Sequence, residues 1–541
     1  MLAYFSPARR KCESAVCMEI GRAFPTSPSR HSQRHGWAVL ALLLTSPVVL
    51  GAAEPQPAGL GLVEAVRLML EQDPNLSIER ANLRSSRGAL LSVRGVFDPV
   101  LSTSWAETET EAPLTELTSQ TQRFLGSSLG VTKRFRTGFS IAPELELLRT
   151  EDLSGAPASV NVGTFSFTLR QPLLRGRGRT ATAAPELSAE RQVVASELDL
   201  RQTTSERALI VADQYWRTRA ALLNLEILQE SEDRARALLE TTRKLIDADV
   251  TPAADLVQVE ANVVAKETAR IGGERAFFEA RQALGREIGL TPDRVAALPP
   301  PSDPFPAVMA AAAPIGAEEA RWIAWALERR ADLQAARERL NAAEILRRAA
   351  DNSLKPQLDL IFTPSYSGLV EGTGTSTFFS PLYRNVPGAS TSLSLSLSWP
   401  TLNSQARGDL AQIEALREQN AFLVDLLTRQ IGADVVIALD AVARIAQQLE
   451  RAAEAVKLFE RTVENEEKKL RAATSTLIDV ISQRDRLTSA RQSQVAAHLA
   501  LAQALLQLRF ETGTLLPGDA DPRTAELTQF TTIPFLAGDE P

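Results

Sequence analysis

The sequence predicts a mainly α-helical chain with β segments, built twice over. Two stretches, about 182–249 and 403–472, keep a helical apolar period and are nearly free of glycine and proline. Several short segments alternate apolar and polar residues with period two. Finally, ADVTPAADLVQVEANVV (248–264) returns as AATSTLIDVISQRDRLT (472–488). Each is a small-residue break with Thr or Ser, then an acid (Asp255, Asp479), then a Val/Leu/Ile-studded helix, the mark of an internal duplication.

The N-terminal end predicts the compartment. Arg22, Arg30 and Arg34 precede the apolar run Trp37–Leu50, which Gly51-Ala52-Ala53 follows. That order is a secretory signal peptide over 1–53, cleaved after Ala53. The run is shorter than the roughly 20 residues a membrane helix needs. Cys12, Cys17, His31 and His35 all lie upstream of the cleavage point. The exported chain then has no thiol, and His498, set among Ala and Leu, reads as structural. No later segment reaches 18 consecutive apolar residues, so an exported chain is either soluble or enters a membrane as a β-barrel.

From there the elements run in order. A short helix is predicted over 62–94, then strands at PVLSTSWAE (99–107) and GTFSFTLRQ (163–171). Between them, 122–134 and 137–149 read as an additional hairpin that only the first half has. The long helix 182–249 carries the stripe Leu209, Ala212, Trp216, Ala220, Leu223, Ile227, and after the break a helix covers 253–289. Residues 54–290 thus form the first repeat, and Pro-rich 291–316 is a linker. The second repeat, 317–515, has a helix at 317–354, strands at PQLDLIFT (356–363) and SLSLSLSW (392–399), a long helix at 403–472 and a shorter one at 476–512. Its seam Val435, Ala438, Val442, Ile445, Leu449, Ala452, Val456, Phe459, Val463 steps by three and four throughout, as a coiled coil does. Residues 516–541 read as a polar tail.

At 1.5 Å per residue each long helix extends roughly 100 Å. Two shorter helices stacked end to end would match one long one. The strands have too few neighbours for a sandwich, and aromatic residues collect on them. Trp105, Phe165, Phe167, Phe362 and Trp399 are the candidate girdle of a membrane strand set.

Composition excludes several classes. A net charge of −7 gives no electrostatic case for nucleic acid. In the exported chain one histidine, no thiol and no nucleophile motif leave no catalytic residues, cofactor or metal site to nominate. The Gly-x-Gly among Arg175, Arg177 and Arg179 lacks the remainder of a phosphate-loop pattern, and these arginines read as charges near headgroups.

At this point the chain resembles the TolC-type outer-membrane efflux proteins, the outer membrane factors, across nearly all of 60–515. The local matches are LVEAVRLMLEQDPNL (62–76), FDPVLS (97–102), RQPLLRGRGR (170–179), RADLQAARERLNAAEILRRAADNSLKPQLDL (330–360) and both breaks. The resemblance implies a homotrimer whose strands join in one transmembrane barrel in the outer membrane, contiguous with a periplasmic α-helical coiled-coil barrel. It implies a passive exit duct for efflux or type I secretion, with a periplasmic adaptor (membrane fusion protein) and an inner-membrane pump as partners. The breaks become hairpin tips, with Asp249, Val250, Thr251, Ala473, Thr474 and Ser475 as adaptor-docking positions. Asp479 matches an acidic ring of the narrow entrance, with Asp255 its counterpart and Ser482 where a second ring would stand. The family's tip glycines are Asp249 and Ala473 here, and the Tyr and Arg that lock its best-known member correspond to Leu470 and Ser475. By residues alone, Asp479 equally suits a capping box with Thr476. The competing class is a periplasmic coiled-coil scaffold or adhesin with a soluble β cap.

Overall fold

The computed structural model describes residues 59–115, 118–153, 158–247, 254–307, 319–384, 388–472, 474–516 and 522–534. The predicted signal peptide lies outside them.

The long helices form where the sequence lacks breakers. They are α4 (Ala184–Asp247) and α10 (Ser404–Arg471), 64 and 68 residues long. The shorter helices ride along them. α2 (Pro74–Gly95) lies along the start of α4 through Arg94–Glu186 and Arg87–Glu197 ion pairs. α5 (Ala254–Ile288) lies along the rest of α4, through Arg270–Glu232 and Arg243–Glu260. In the same way α8 (Ala331–Ser353) and α11 (Leu477–Glu511) follow α10, through Glu344–Arg417 and Glu467–Arg484. α4 also packs on α8 and α11. Four helices therefore stand abreast throughout, in the order α2–α4–α8–α10 near the strands and α5–α4–α11–α10 beyond. The seam of α10 does what its spacing predicts: Val435, Ala438, Val442, Leu449 and Val456 are buried.

Glu344 ties α8 to α10. Its carboxylate accepts from Arg347, Arg348 and Arg417, which hold its pKa at about 2 instead of the ordinary 4.5. A carboxyl depressed in the folded state stabilises above its unfolded pKa, and that stabilisation is lost as pH falls toward the folded one. Glu344→Gln is therefore expected to flatten the loss of unfolding midpoint between pH about 4.5 and 2. An unchanged acid limb, followed by circular dichroism, would rule out the contribution.

Each of the predicted helices 62–94 and 317–354 is in fact two. α1 (Leu62–Gln72) stops at Asp73, whose side chain accepts from the Asn75 amide (2.7 Å) while Pro74 opens α2. Proline lacks an amide hydrogen and suits a first helical turn better than an interior. α7 (Glu319–Arg329) breaks from α8 at Arg330, which is extended (φ −61°, ψ 116°). There the guanidinium turns to Asp332 and to Glu511 at the end of α11.

The main core surrounds these breaks. Trp216, Tyr215, Met69, Leu62, Leu284, Leu506 and Phe530 are buried together. Segment 291–316 is no loose linker as far as it is described. It carries α6 (Pro292–Ala296), and Phe305 stacks on both Trp216 (5.2 Å) and His498 (5.6 Å). Asp303 accepts from the Leu62 amide (2.6 Å), capping a helix 241 residues away. The polar tail is also drawn in, because α12 (Thr528–Thr531) sets Phe530 at 0% exposure. One aromatic anchor in a polar segment leaves no period to read.

The strands of the described residues join one antiparallel sheet in the order β1–β2–β3–β4–β5–β6. These are β1 (Val100–Thr115), β2 (Thr118–Arg134), β3 (Ser140–Asp152), β4 (Ala158–Pro172), β5 (Gln357–Glu371) and β6 (Ala389–Ser398). The additional hairpin is β2–β3, in line with the others. Most strands outrun the predicted spans. In β1 and β2 the outer stretches (ETETE in β1, TSQTQ in β2) are polar on both faces, so the alternation stops while backbone pairing continues. Pro143 and Pro364 keep register inside β3 and β5, although proline lacks the amide a ladder needs.

The turn between β2 and β3 points back at the helices. Gly138 sits at φ 93°, and a Cβ there would meet the Gly176 carbonyl at 2.2 Å, so the turn requires glycine. Next to it Arg136 binds Glu186 at the start of α4. A short helix, α3 (Arg179–Thr182), leads into α4 past Gly176 and Gly178, both at positive φ. The Gly-x-Gly serves this turn.

Candidate functional site

Two regions carry the predicted site residues: the faces of the sheet and the far ends of the helical hairpins. The register decides the first. Side chains paired across neighbouring strands share a face, so each row can be followed from β1 to β6. Phe165 pairs with Tyr366 and with Leu145, which pairs with Leu129. Phe167 pairs with Pro143, and Phe362 pairs with Leu169 and Leu393. Leu360 and Leu358 meet Leu395 and Leu397. One face of the sheet is thus apolar over most of its height, and it holds Trp105, Phe165, Phe167 and Phe362 together. Trp399 follows just after β6, 64% exposed.

The other face is polar. It presents Ser390, Ser392, Ser394, Ser396 and Ser398 of β6, Thr164, Ser166 and Thr168 of β4, and Glu144 and Glu146 of β3. Near the helices an Arg170–Asp359 ion pair joins β4 to β5 on this face. Among the described residues no helix is long and apolar enough to cross a membrane. The broad apolar face of the strands is the sheet's own.

At the other end of the molecule, Thr476 and Asp479 form a reciprocal capping box. The Asp479 amide donates to Thr476 Oγ1 (3.2 Å), and the Asp479 carboxylate accepts from the Thr476 amide (3.2 Å) and hydroxyl (2.7 Å). Those bonds from Thr476 hold the carboxyl below its ordinary range, and it is exposed and ionised at neutral pH. Asp255 stands in the first turn of α5. Ser482 lines a groove of about 690 Å³ with Phe459, Ile478, Ile481 and Asp485. Thr474 bonds back to the Lys469 carbonyl, and Ser475 donates to Glu466. Asp249, Val250, Thr251 and Ala473 lie outside the described residues.

Sequence reasoning missed the tie between the hairpins. Lys266 of α5 binds Asp485 of α11, and Thr488 of α11 meets Ser231 of α4 (3.5 Å). Arg491 bridges Glu230 of α4 and Glu460 of α10. The partners that join the two hairpins are more than 200 residues apart and leave no local signal.

Residues 322–514 match the family model described as outer membrane efflux protein. The chain carries an outer membrane efflux protein domain. The description of that family places its members in the outer membrane. The match starts in α7 and runs through the strands β5 and β6 to the end of α11.

Solved structures extend the likeness of fold beyond that domain. The outer-membrane channel OprN superposes with TM-score 0.62 at 16% identity, over 84% of this chain and 89% of its own. The outer membrane protein VceC of Vibrio cholerae gives 0.62 at 15%, over 84% and 96%. The CmeC outer membrane channel of Campylobacter jejuni gives 0.60 at 12%, over 85% and 87%. At such identities the likeness is one of fold. OprN and CmeC are described as outer-membrane channels. No curated protein matches the chain.

Proposed function

We propose that three copies of this chain close into a passive exit duct through the outer membrane, the outlet of a tripartite efflux or type I secretion system. The open sheet carries this reading. Among the described residues β1 and β6 each leave one edge unpaired, and the sheet has one apolar face. Unpaired backbone groups in hydrocarbon cost several kcal/mol each, so a sheet enters lipid only when its edges are joined. Three six-stranded sheets joined edge to edge make eighteen strands, and barrels of that size leave an aqueous channel.

The helices repeat the pattern. In the row α5–α4–α11–α10 the flanks are α5 and α10. Along α5, Val257, Val264, Ile271 and Phe278 recur at heptad spacing and are 54–70% exposed. A heptad stripe of that kind fits a neighbouring helix, here α10 of the next copy. Four helices abreast in each of three copies would make a hollow wall roughly 100 Å long. Its far end, with the tips, would meet the adaptor and the inner-membrane pump, and small molecules or polypeptides would leave through the strands. The two halves share their order of elements, as an internal duplication would leave them.

The test is physical. Washed envelopes should release the protein to detergent and not to plain buffer, and light scattering should then give the mass of three chains. A monomer released by buffer would favour the periplasmic scaffold. The entrance role of Asp479 is separable. With three Asp479 carboxylates around the tip, Asp479→Asn is expected to move cation selectivity toward unity in single-channel recordings. Unchanged selectivity would leave Asp479 its capping role alone.

A further inference from the structure

Between β5 and β6 the chain does not turn back directly. Residues 372–384 form a strap, with α9 (Thr375–Phe379) and a 3₁₀ turn (Ser380–Leu382), at the end of the sheet away from the long helices. The strap folds over the apolar face. That face has a trough ready for it, because the register places Trp105, Ser127, Leu147, Gly163 and Gly368 in one row across five strands. A Cβ on Gly163 would stand 3.0 Å from Pro381 Cβ, and one on Gly368 would stand 2.3 Å from the Pro381 carbonyl. Phe378 fills the trough at 2% exposure, edge-on to Trp105 (5.7 Å) and beneath the Arg149 guanidinium (5.3 Å).

Two buried polar side chains of the next row fasten the strap. Arg149 donates to Asn161 Oδ1 (2.7 Å) and to the carbonyls of Thr373 (3.2 Å) and Gly374 (2.6 Å). Asn161 Nδ2 donates to the carbonyls of Val370 (3.0 Å) and Gly372 (2.9 Å). The remaining aromatic and apolar side chains of the strap stay outside. Phe379, Leu382 and Tyr383 are 47%, 46% and 69% exposed.

We propose that this strap is an interfacial anchor, seated in the lipid headgroup zone at the outer rim of the barrel and setting its depth in the membrane. It rests on the duct reading, since it takes the apolar face to be the lipid face. The apolar band runs from Leu358 to the strap at Gly368. Ten residues at about 3.3 Å, tilted 35–45°, rise roughly 25 Å, the height of a barrel's lipid band. The strap lies where that band ends, which is where amphipathic aromatics are enriched. Irregular backbone facing lipid is excluded from the hydrocarbon interior and tolerated at the interface. Placed on the polar face, the same segment would have obstructed the lumen.

The test uses the full chain with Cys12 and Cys17 replaced by serine, in phosphatidylcholine vesicles. Phe379→Cys and Leu382→Cys carry an environment-sensitive fluorophore, and Leu393→Cys at mid-band serves as the reference. Nitroxide lipids labelled near the headgroup are expected to quench both strap positions more than lipids labelled near the chain end, and more than aqueous iodide. Leu393 should show the reverse depth order. If Leu393 is quenched by lipid while the strap answers only to iodide, or to no quencher because a neighbouring copy covers it, the anchor is wrong and the duct stands. If Leu393 also escapes lipid quenching, the lipid assignment of the whole face fails.

Discussion

Arg207→Ala is expected to destabilise the protein by about 3–5 kcal/mol, the loss typical when one member of a buried ion pair is removed. Asp73 is 2% exposed at the break between α1 and α2. Its carboxylate has two duties, capping the Asn75 amide and accepting from Arg207 Nε. Arg207 reaches further to the Glu287 carboxylate (3.0 Å) and carbonyl (3.0 Å) at the end of α5, so one guanidinium holds three helix ends together. Alanine would leave Asp73 charged, buried and without its cation. Asparagine caps helices about as well as aspartate, so adding Asp73→Asn should recover much of the loss by removing the orphaned charge. Guanidinium unfolding of the detergent-solubilised protein measures both. A single-mutant loss below about 1 kcal/mol, or no recovery in the double mutant, would show that the pair is not the latch described.

Leu393→Arg should prevent stable insertion while Ser394→Arg, one residue on, is tolerated. Leu393 is 70% exposed in the lone chain and pairs with Phe362 near the middle of the apolar band. An arginine at the bilayer midplane costs about 2–4 kcal/mol per chain, and an assembly of three chains would bear it three times. Ser394 pairs with Ile361 on the opposite face, which water would fill in the proposed duct. The readout is the amount of trimer recovered from washed outer membranes. Equal loss in both variants would mean that the two faces of β6 meet the same surroundings. Equal tolerance would remove the lipid from this face altogether.

These two sites differ in how far the sequence exposed them. The alternation in SLSLSLSW made the two faces of β6 legible residue by residue, because a strand's side-chain period is fixed by its backbone. The Asp73–Arg207 latch was not legible, since its partners are 134 residues apart. The break at Asp73 did leave a trace in Pro74. The matching break at Arg330 left none, because the apolar period runs on through Leu327 and Leu333 while the guanidinium answers to Glu511.

Helix ends came through well where local chemistry sets them. The Thr476–Asp479 box stands three residues apart in the chain and forms as read. The long helices, their seams and the mainly α architecture follow from the same short-range rules, in which each residue's place depends on those three or four positions away. So does the presence of two-faced strands.

What the chain alone determined, then, is every feature written within one turn or one strand. Only the tertiary structure decided that β2–β3 joins the sheet in line, that the halves lie four helices abreast, and that Asp303 caps the first helix from across the molecule. It also placed the strap of residues 372–384 on the apolar face. All four join residues far apart in the chain, so none leaves a local signal. For the hairpin and the strap the reason is register, since a shift of one residue would turn every side chain of a strand to the opposite side.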